Sequence, residues 1–329
     1  MPWALRADTG QRDARLRSDA GRENRRAGTL GEEAVIVSTE TGGLGNRLKS
    51  WVSAMRLDAE AGVFWEVTEN MPASFGQLFV NDCGLEAVPA DAATHKSWRL
   101  LVLPEDEPYV PEGFSTVGAA THPILRGLGK AWWNLRGQPD DRYRYMIFPK
   151  THSRRGARAD ARHIDLEYER IPRYFRTVYT PLFRQIRVRP EILERVEDWA
   201  DTHLDEGVIG VQVRTWRDYP RRYRKYHIPS MKRLHRLMSD SQRDERFFVV
   251  SDSDDTVSSL QEEFGRTRVA HFPRETARLA SWQSPDGITE DLIDMLLLAR
   301  TRRLFASYLS TFSEAAWWLG GAEARVWVF

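Results

Sequence analysis

The second half of the chain alternates between short apolar runs and amphipathic segments, and this alternation limits the possible folds more than any other feature. The apolar runs predict strands at residues 208–213, 246–252, 267–272, 304–307 and 325–329. Helical patterns lie between them, at residues 230–238, 256–264, 290–301 and 311–319. Near-continuous apolar strands that alternate regularly with helices are typical of a parallel sheet covered by helices on both faces. The sequence therefore predicts an α/β fold for this half.

The ordered part of the first half opens with a unit of the same kind. Residues 34–39, AVIVST, predict a strand that runs directly into the glycine-rich turn ETGGLGN at residues 40–46. A helix follows, with its apolar residues on one face, and stops at Gly62. Strand, glycine turn and helix in succession are how nucleotide-binding α/β units begin. The spacing GGLGN does not match G-x-G-x-x-G, and no acidic residue is clearly placed to hold a ribose, which disfavours a dinucleotide dehydrogenase.

The glycine-rich turn carries candidate ligand contacts. Glycines allow the backbone to approach a ligand closely, and Asn46 stands at the predicted start of the helix. Asparagine at a helix start can cap the helix or contact a substrate, and both interpretations of Asn46 remain open.

Length and local composition predict two domains behind a tail. A chain of 329 residues with 41% hydrophobic residues is long enough for two cores. Residues 1–33 alternate charges with almost no apolar residue, which predicts a disordered tail. Residues 171–199 predict two helices broken at Pro190, where we place the domain boundary. Residues 34–190 and 191–329 are then predicted to form one Rossmann-like domain each.

Composition excludes several classes of protein. A single cysteine, Cys83, rules out an intrachain disulfide and a multi-cysteine zinc site. The formal net charge of +1 is not that of a nucleic-acid binder. The sequence has neither an apolar run near the ~20 residues that span a bilayer nor the apolar core of a signal peptide. We therefore expect a cytoplasmic protein without a membrane span.

Polar residues follow the predicted strands of the second half. The strands are followed by Arg214, by Asp252 and by the hydroxyl-rich stretch that leads to Ser310. The carboxyl ends of parallel strands meet at one rim, where an arginine can bind a diphosphate with two N–H groups and a helix start can bind its oxygens. This rim predicts a nucleoside diphosphate site. The alternative that Ser310, Thr311 and Ser313 only cap the last helix remains open.

Four segments together resemble one family. They are GGLGNR at residues 42–47, VIGVQVRTWRD at 208–218, FFVVSDS at 247–253 and SYLSTFSEAA at 307–316. In this order they resemble the motifs of the GDP-fucose-dependent fucosyltransferases, a group that includes protein O-fucosyltransferases, α1,6-fucosyltransferases and nodulation-factor enzymes. The resemblance implies two Rossmann-like domains facing a cleft, the GT-B arrangement. It also implies inverting transfer of a sugar from a GDP-sugar donor, foremost GDP-fucose, without a cofactor or a metal ion.

The resemblance also implies roles for individual residues. Arg214 would neutralise the β-phosphate and Asp252 would lie near the guanine. Asn46 would act on the sugar and the acceptor from the other domain, so Asn46 and Arg214 are the expected catalytic residues. The other expected contacts with the donor come from Gly43, Gly45, Gln212, Ser310, Thr311, Phe312 and Ser313.

Two departures from the family pattern affect the mechanism. Gln212 replaces the histidine that precedes the family arginine, and Thr215 replaces a second arginine. Glutamine keeps hydrogen bonding but cannot take up a proton near neutral pH. Glu40, Asp218 and His227 remain open as alternative bases.

Two other functions remain possible on the sequence. The presence of Gln212 is compatible with a non-catalytic protein that binds a nucleotide sugar. The arginine-rich segment RDYPRRYRKYH, residues 217–227, could instead bind RNA or an acidic partner, although we expect no nucleic acid. The acceptor, whether glycan, peptide or small molecule, cannot be read from the sequence.

Overall fold

Two parallel sheets, whose strands are connected by helices, form the framework of the protein. The computed structural model of the chain describes residues 35–96, 173–307 and 310–329. The tail expected at residues 1–33 lies outside these ranges. The α/β class predicted from the alternation is confirmed.

The first sheet consists of four short strands. They are β1 (Ile36–Ser38), β2 (Gly62–Phe64), β3 (Gly84–Leu85) and β4 (Ala93–His95), parallel and in the order β3, β2, β1, β4. Helix α1 (Leu44–Leu57) follows β1, and the short helix α2 (Phe75–Leu78) precedes β3. The sequence pattern predicts neither β3 nor β4, because two or three residues are too few to show a periodicity.

Helices α3 (Arg173–Phe183) and α4 (Pro190–His203) lead into the second sheet. Pro190 is the first residue of α4, where its missing N–H breaks no helical hydrogen bond. The strands are β5 (Val208–Val213), β6 (Arg246–Ser251), β7 (Val269–Ala270), β8 (Arg303–Ala306) and β9 (Arg325–Val328). Between them lie α5 (Pro220–Arg222), a π-helix (Tyr223–His227), α6 (Ile228–Asp240), α7 (Asp254–Phe264), a 3₁₀ helix (Arg278–Gln283), α8 (Pro285–Ala299) and α9 (Thr311–Leu319).

The second sheet is parallel throughout, with the order β7, β6, β5, β8, β9. All five predicted strands are confirmed, although β7 covers only two of the residues expected at 267–272. The chain first builds β6 and β7 on one side of β5 and then returns to place β8 on the other side. In sheets with this Rossmann-like order, ligands bind at the carboxyl ends of the strands where the order reverses, here β5 and β8. A domain boundary at residue 190 and a cleft between two domains stay predictions.

One apolar core extends from α1 to the helices of the second sheet. Trp51 of α1 and Trp318 of α9 are both fully buried in the same cluster. The ring of Phe183 stacks on Trp318 with a centroid distance of 5.6 Å, which joins α3 to this core. The helices that accompany the two sheets are therefore packed against one another.

A buried ion pair lies inside this core. Lys49 of α1 donates to the carboxylate of Glu314 in α9, and the side chains are 0% and 2% exposed. Removing two charges from water is costly, and the pair is tolerated because each charge finds its partner. The ion pair consequently fixes which turn of α1 faces which turn of α9.

We expect the single substitution Lys49→Met to lower the free energy of unfolding by about 3–5 kcal/mol, because it removes the ammonium group that pairs with the buried Glu314 carboxylate. The double substitution Lys49→Met/Glu314→Leu should recover most of this loss. Chemical denaturation of the three proteins measures both effects. Equal stability of Lys49→Met and wild type would show that the pair contributes nothing to the folded state.

Candidate functional site

The glycine-rich turn meets the start of α9 at Gly45. A Cβ atom at Gly45 would lie 2.5 Å from the carbonyl oxygen of Thr311 and 2.9 Å from the backbone nitrogen of Phe312. Real Cβ atoms do not come this close to backbone, so only glycine permits the contact. The missing side chain at Gly45 thus serves the approach of two helices, and the contact of Gly45 with a donor stays a prediction.

Gly43 is different, because it precedes α1 as an exposed N-cap residue. No atom of the described part of the chain, apart from its neighbours in sequence, lies within 4 Å of the place where its Cβ would be. Its φ of −64° suits any residue. Of the two glycines expected to contact the donor, Gly43 is the one whose surface a ligand can reach.

This difference gives a matched pair of substitutions. Gly45→Ala should destabilise the protein by about 2–3 kcal/mol, because the added methyl group meets backbone atoms that cannot turn away. Gly43→Ala should stay within about 0.5 kcal/mol of wild type. Thermal or chemical unfolding compares them, and equal stability of the two variants would contradict the close contact between α1 and α9.

Asn46 is the third residue of α1, whose N-cap is Gly43. The interpretation of Asn46 as a helix cap is therefore wrong, because the helix begins before it. Its side-chain oxygen Oδ1 is buried and has no hydrogen-bond partner among the residues that the structure describes. Its Nδ2 lies beside Gly42, and the N–H of Gly42 donates to the Glu40 carboxylate at 2.9 Å. An amide with an available oxygen and a carboxylate thus line the same turn.

Arg47 holds this turn in place. Its Nε donates to the carbonyl of Gly42 at 2.8 Å, and its Nη1 donates to the carbonyl of Glu66 at 2.7 Å. The guanidinium lies 4.9 Å from the ring centroid of Trp65. Burial lowers the pKa of Arg47 to about 10, so it keeps its charge at neutral pH. The sequence analysis assigns no role to Arg47, although an arginine inside an apolar helix face is itself a signal.

Arg214 lies where the strand order reverses. Its backbone N–H donates to Ser307 Oγ, just after β8, at 2.8 Å, and its Nη1 donates to Asp252 Oδ2 at 2.7 Å. The other oxygen of Asp252 accepts the N–H of Thr215 at 2.9 Å. About two fifths of the Arg214 side chain remains exposed, at 40%. Arg214 is therefore held in one orientation with part of its guanidinium open to the rim.

Asp252 is held by the strand end that carries Arg214. Both of its carboxylate oxygens accept hydrogen bonds from the strand end at Arg214 and Thr215, and its side chain is 21% exposed. In the structure this carboxylate orients Arg214. The contact with guanine that the resemblance implies stays a prediction.

The turn before α9 combines capping with surface that a ligand can reach. Ser310 caps α9 by accepting the N–H of Ser313, and the Ser313 hydroxyl donates to the Ser310 carbonyl at 3.1 Å. The capping interpretation of Ser310 is thus confirmed. Ser313 is fully buried, and its contact with a donor stays a prediction. Ser310, Thr311 and Phe312 are half-buried, and the first N–H groups of a helix have no partner within it.

Gln212 lies on β5 and is buried at 4% exposure. Its backbone carbonyl accepts both the N–H of Ser307 and, at 3.0 Å, the Ser307 hydroxyl. Its side-chain Oε1 is buried and has no partner within residues 35–96, 173–307 and 310–329. A contact of this side chain with a donor stays a prediction.

The arginine-rich segment forms α5 and the π-helix. Arg222 lies 5.0 Å from the ring centroid of Trp216 and 5.2 Å from that of Tyr219, so part of the positive charge packs against the loop after β5. Binding of RNA or an acidic partner by this segment stays a prediction. Asp218 is exposed, whereas His227 is half-buried.

Three comparisons with known proteins were made. No protein-family model and no curated protein matches the chain. Solved structures similar to it include fucosyltransferase NodZ from Bradyrhizobium, at 19% identity over 86% of this chain and 91% of that chain, with a TM-score of 0.46. They also include FUT1 of Arabidopsis thaliana in complex with GDP, at 16% identity over 93% of this chain and 72% of that chain, with a TM-score of 0.44. A third is POFUT1 in complex with GDP-fucose, at 13% identity over 92% of this chain and 99% of that chain, with a TM-score of 0.46. At TM-scores below 0.5, such likenesses assign no residue and no activity to this chain.

Within the described ranges, no group of three or more His, Cys, Asp or Glu side chains could hold a metal ion. No helix there is long and apolar enough to cross a membrane.

Proposed function

We propose that this chain is an inverting glycosyltransferase that transfers fucose from GDP-fucose to a hydroxyl acceptor. The convergence of three motifs that are far apart in the sequence supports the proposal. The backbone of Gly45 contacts Thr311, and the backbone of Arg214 is bound to Ser307, just before the turn that starts α9. This geometry supports the binding of a diphosphate. The choice of guanine and fucose comes from the resemblance of the motifs.

In the proposal, two features bind the diphosphate of the donor. The exposed part of the Arg214 guanidinium faces the rim with its direction fixed by Asp252. The N-terminus of α9 adds backbone N–H groups and the positive end of the helix dipole. Charge-assisted hydrogen bonds of this kind strengthen as the diphosphate gains negative charge on leaving.

The transfer needs an acceptor oxygen, a base and a leaving group. The acceptor oxygen forms a bond to the anomeric carbon while the bond from that carbon to the phosphate oxygen breaks, so GDP leaves and the configuration inverts. In the proposal, Asn46 orients the acceptor or the sugar through its unpartnered oxygen, and Glu40 on the same turn takes the proton of the acceptor hydroxyl. In this arrangement Glu40 supplies the base, because the Gln212 side chain cannot take up a proton near neutral pH.

The substitution Arg214→Lys tests the diphosphate site. It keeps the charge but loses the planar fork, so GDP affinity should fall about ten- to a hundredfold while folding stays near normal. Calorimetric titration with GDP gives the affinity, and Arg302→Lys, at a largely exposed ion pair with Glu206, is the control. Unchanged GDP affinity in Arg214→Lys would place the diphosphate elsewhere.

The substitution Asn46→Ala tests the catalytic assignment. GDP affinity should stay unchanged, while the release of GDP from GDP-fucose, with water or an acceptor as nucleophile, should fall about ten- to a thousandfold. Glu40→Gln, which can still accept the N–H of Gly42, should slow the same reaction if Glu40 is the base. A fully active Asn46→Ala protein would remove Asn46 from the mechanism.

A second candidate function is supported by Gln212, which replaces a titratable histidine in a buried position. On this alternative the protein binds a GDP-sugar without turning it over. Wild-type protein that binds GDP-fucose tightly but neither transfers nor hydrolyses it would favour this function.

A further inference from the structure

A cavity of about 680 Å³ opens next to the Arg214 rim. It lies between the π-helix and the first half of α7, and Thr215, the residue after Arg214, forms part of its wall. The other residues that matter here are Tyr223, His227, Met231, Ser253 and Leu260. The wall thus combines the large side chains of Tyr223, Met231 and Leu260 with polar and charged ones, among them Arg217, Arg224, His235 and Asp255.

Two buried polar atoms in the wall of this cavity have no partner in the described part of the chain. They are Oγ1 of Thr215, a residue with 4% exposure, and Nδ1 of His227. Buried polar atoms without a hydrogen bond are rare in folded proteins, because each carries an uncompensated desolvation cost. A ligand that hydrogen-bonds both atoms would remove that cost.

The backbone around these two atoms is unusual as well. Trp216 follows Thr215 with a φ of 56°, a left-handed conformation that is unfavourable for a bulky residue. A π-helix that ends at His227 follows α5, and such turns are rare and often occur at functional sites. In this segment the rings of Tyr223 and His227 stack with a centroid distance of 4.9 Å. The local strain thus produces an aromatic wall and presents the imidazole to the cavity.

We propose that the nucleobase of the donor binds in this cavity, with Thr215 Oγ1 and His227 Nδ1 as the groups that select the base. The inference rests on the proposed function, because it uses the diphosphate at Arg214 to fix where the base must lie. A planar heterocycle suits a space walled by Tyr223, Met231 and Leu260. Its edge offers the N–H and lone-pair groups that a hydroxyl and an imidazole nitrogen can pair with. In this arrangement the role of Asp252 is to orient Arg214.

His227 suits a neutral ligand edge better than a phosphate. Burial lowers the pKa of this imidazole, against a hydrogen bond with the Arg214 backbone and the charge of Asp252. At neutral pH the ring is therefore uncharged, and because Nδ1 has no partner, the N–H that bonds the Arg214 backbone is on Nε2 and Nδ1 offers a lone pair. The positive charge needed for the diphosphate comes from Arg214.

Three substitutions of His227 test which of its two ring nitrogens binds the base. His227→Asn places a polar atom near the position of Nδ1, His227→Gln places one near Nε2, and His227→Phe keeps only the ring. In the full-length protein, GDP affinity should fall about ten- to a hundredfold in His227→Phe and His227→Gln, and less in His227→Asn. The preference for GDP over ADP should also fall more in His227→Phe and His227→Gln than in His227→Asn. The affinity for inorganic pyrophosphate should be equal in all four proteins.

The isosteric substitution Thr215→Val is the second test and covers the case in which His227→Phe does not fold. It should reduce GDP affinity at least several-fold without changing pyrophosphate affinity. Wild-type affinity and base preference in His227→Phe, or in Thr215→Val, would overturn the assignment of the base while leaving the proposed function intact. A wild-type protein that binds neither GDP nor pyrophosphate would overturn the proposed function and this inference together.

Discussion

The candidate site depends on the contact between the backbone of Gly45 and the carbonyl of Thr311. The contact brings the first turns of α1 and α9 together, although these helices belong to different sheets. One turn further along, the buried pair of Lys49 and Glu314 sets the rotation of the two helices. Asn46 follows Gly45 in the chain and so lies in the same turn of α1, and the backbone of Arg214 is bound to Ser307, which precedes α9. The absence of a side chain at Gly45 thus allows the close approach of the two helices on which the candidate site depends.

The second sheet was predictable from sequence because its strands are buried on both faces. A strand in that position needs apolar residues throughout, and the run at β5 is a direct consequence, with all six residues buried. The start of α9 was predictable because Ser310 precedes an apolar helix. The strands β3 and β4 were not predictable, since their stability comes from β1 and β2 beside them and not from a pattern of their own.

The residues of the candidate site also differ in whether they could be predicted from the sequence. Arg214 could be found from its place after a strand, and Ser310 from its place before a helix. The use of Gly45 could not be decided, because close approach to a ligand and close approach to a helix both require the absence of a Cβ. Arg47 went unassigned, and His227 was considered only as an alternative base, for another reason. One is a buried charge that holds a turn, and the other is brought into position by a π-helix, which has no recognisable periodicity in sequence.

The ion pair between Lys49 and Glu314 also limits how the two sheets can move relative to each other. If α1 and α9 moved apart at this point, a buried ammonium group and a buried carboxylate would lose each other before water could reach both. Separation of the two sheets along this seam is therefore a high-barrier movement. Exposed loops, such as the one after β5, can move without separating this pair, so under the proposed function we expect donor exchange at the outer edge of the candidate site and not at the junction of the two sheets.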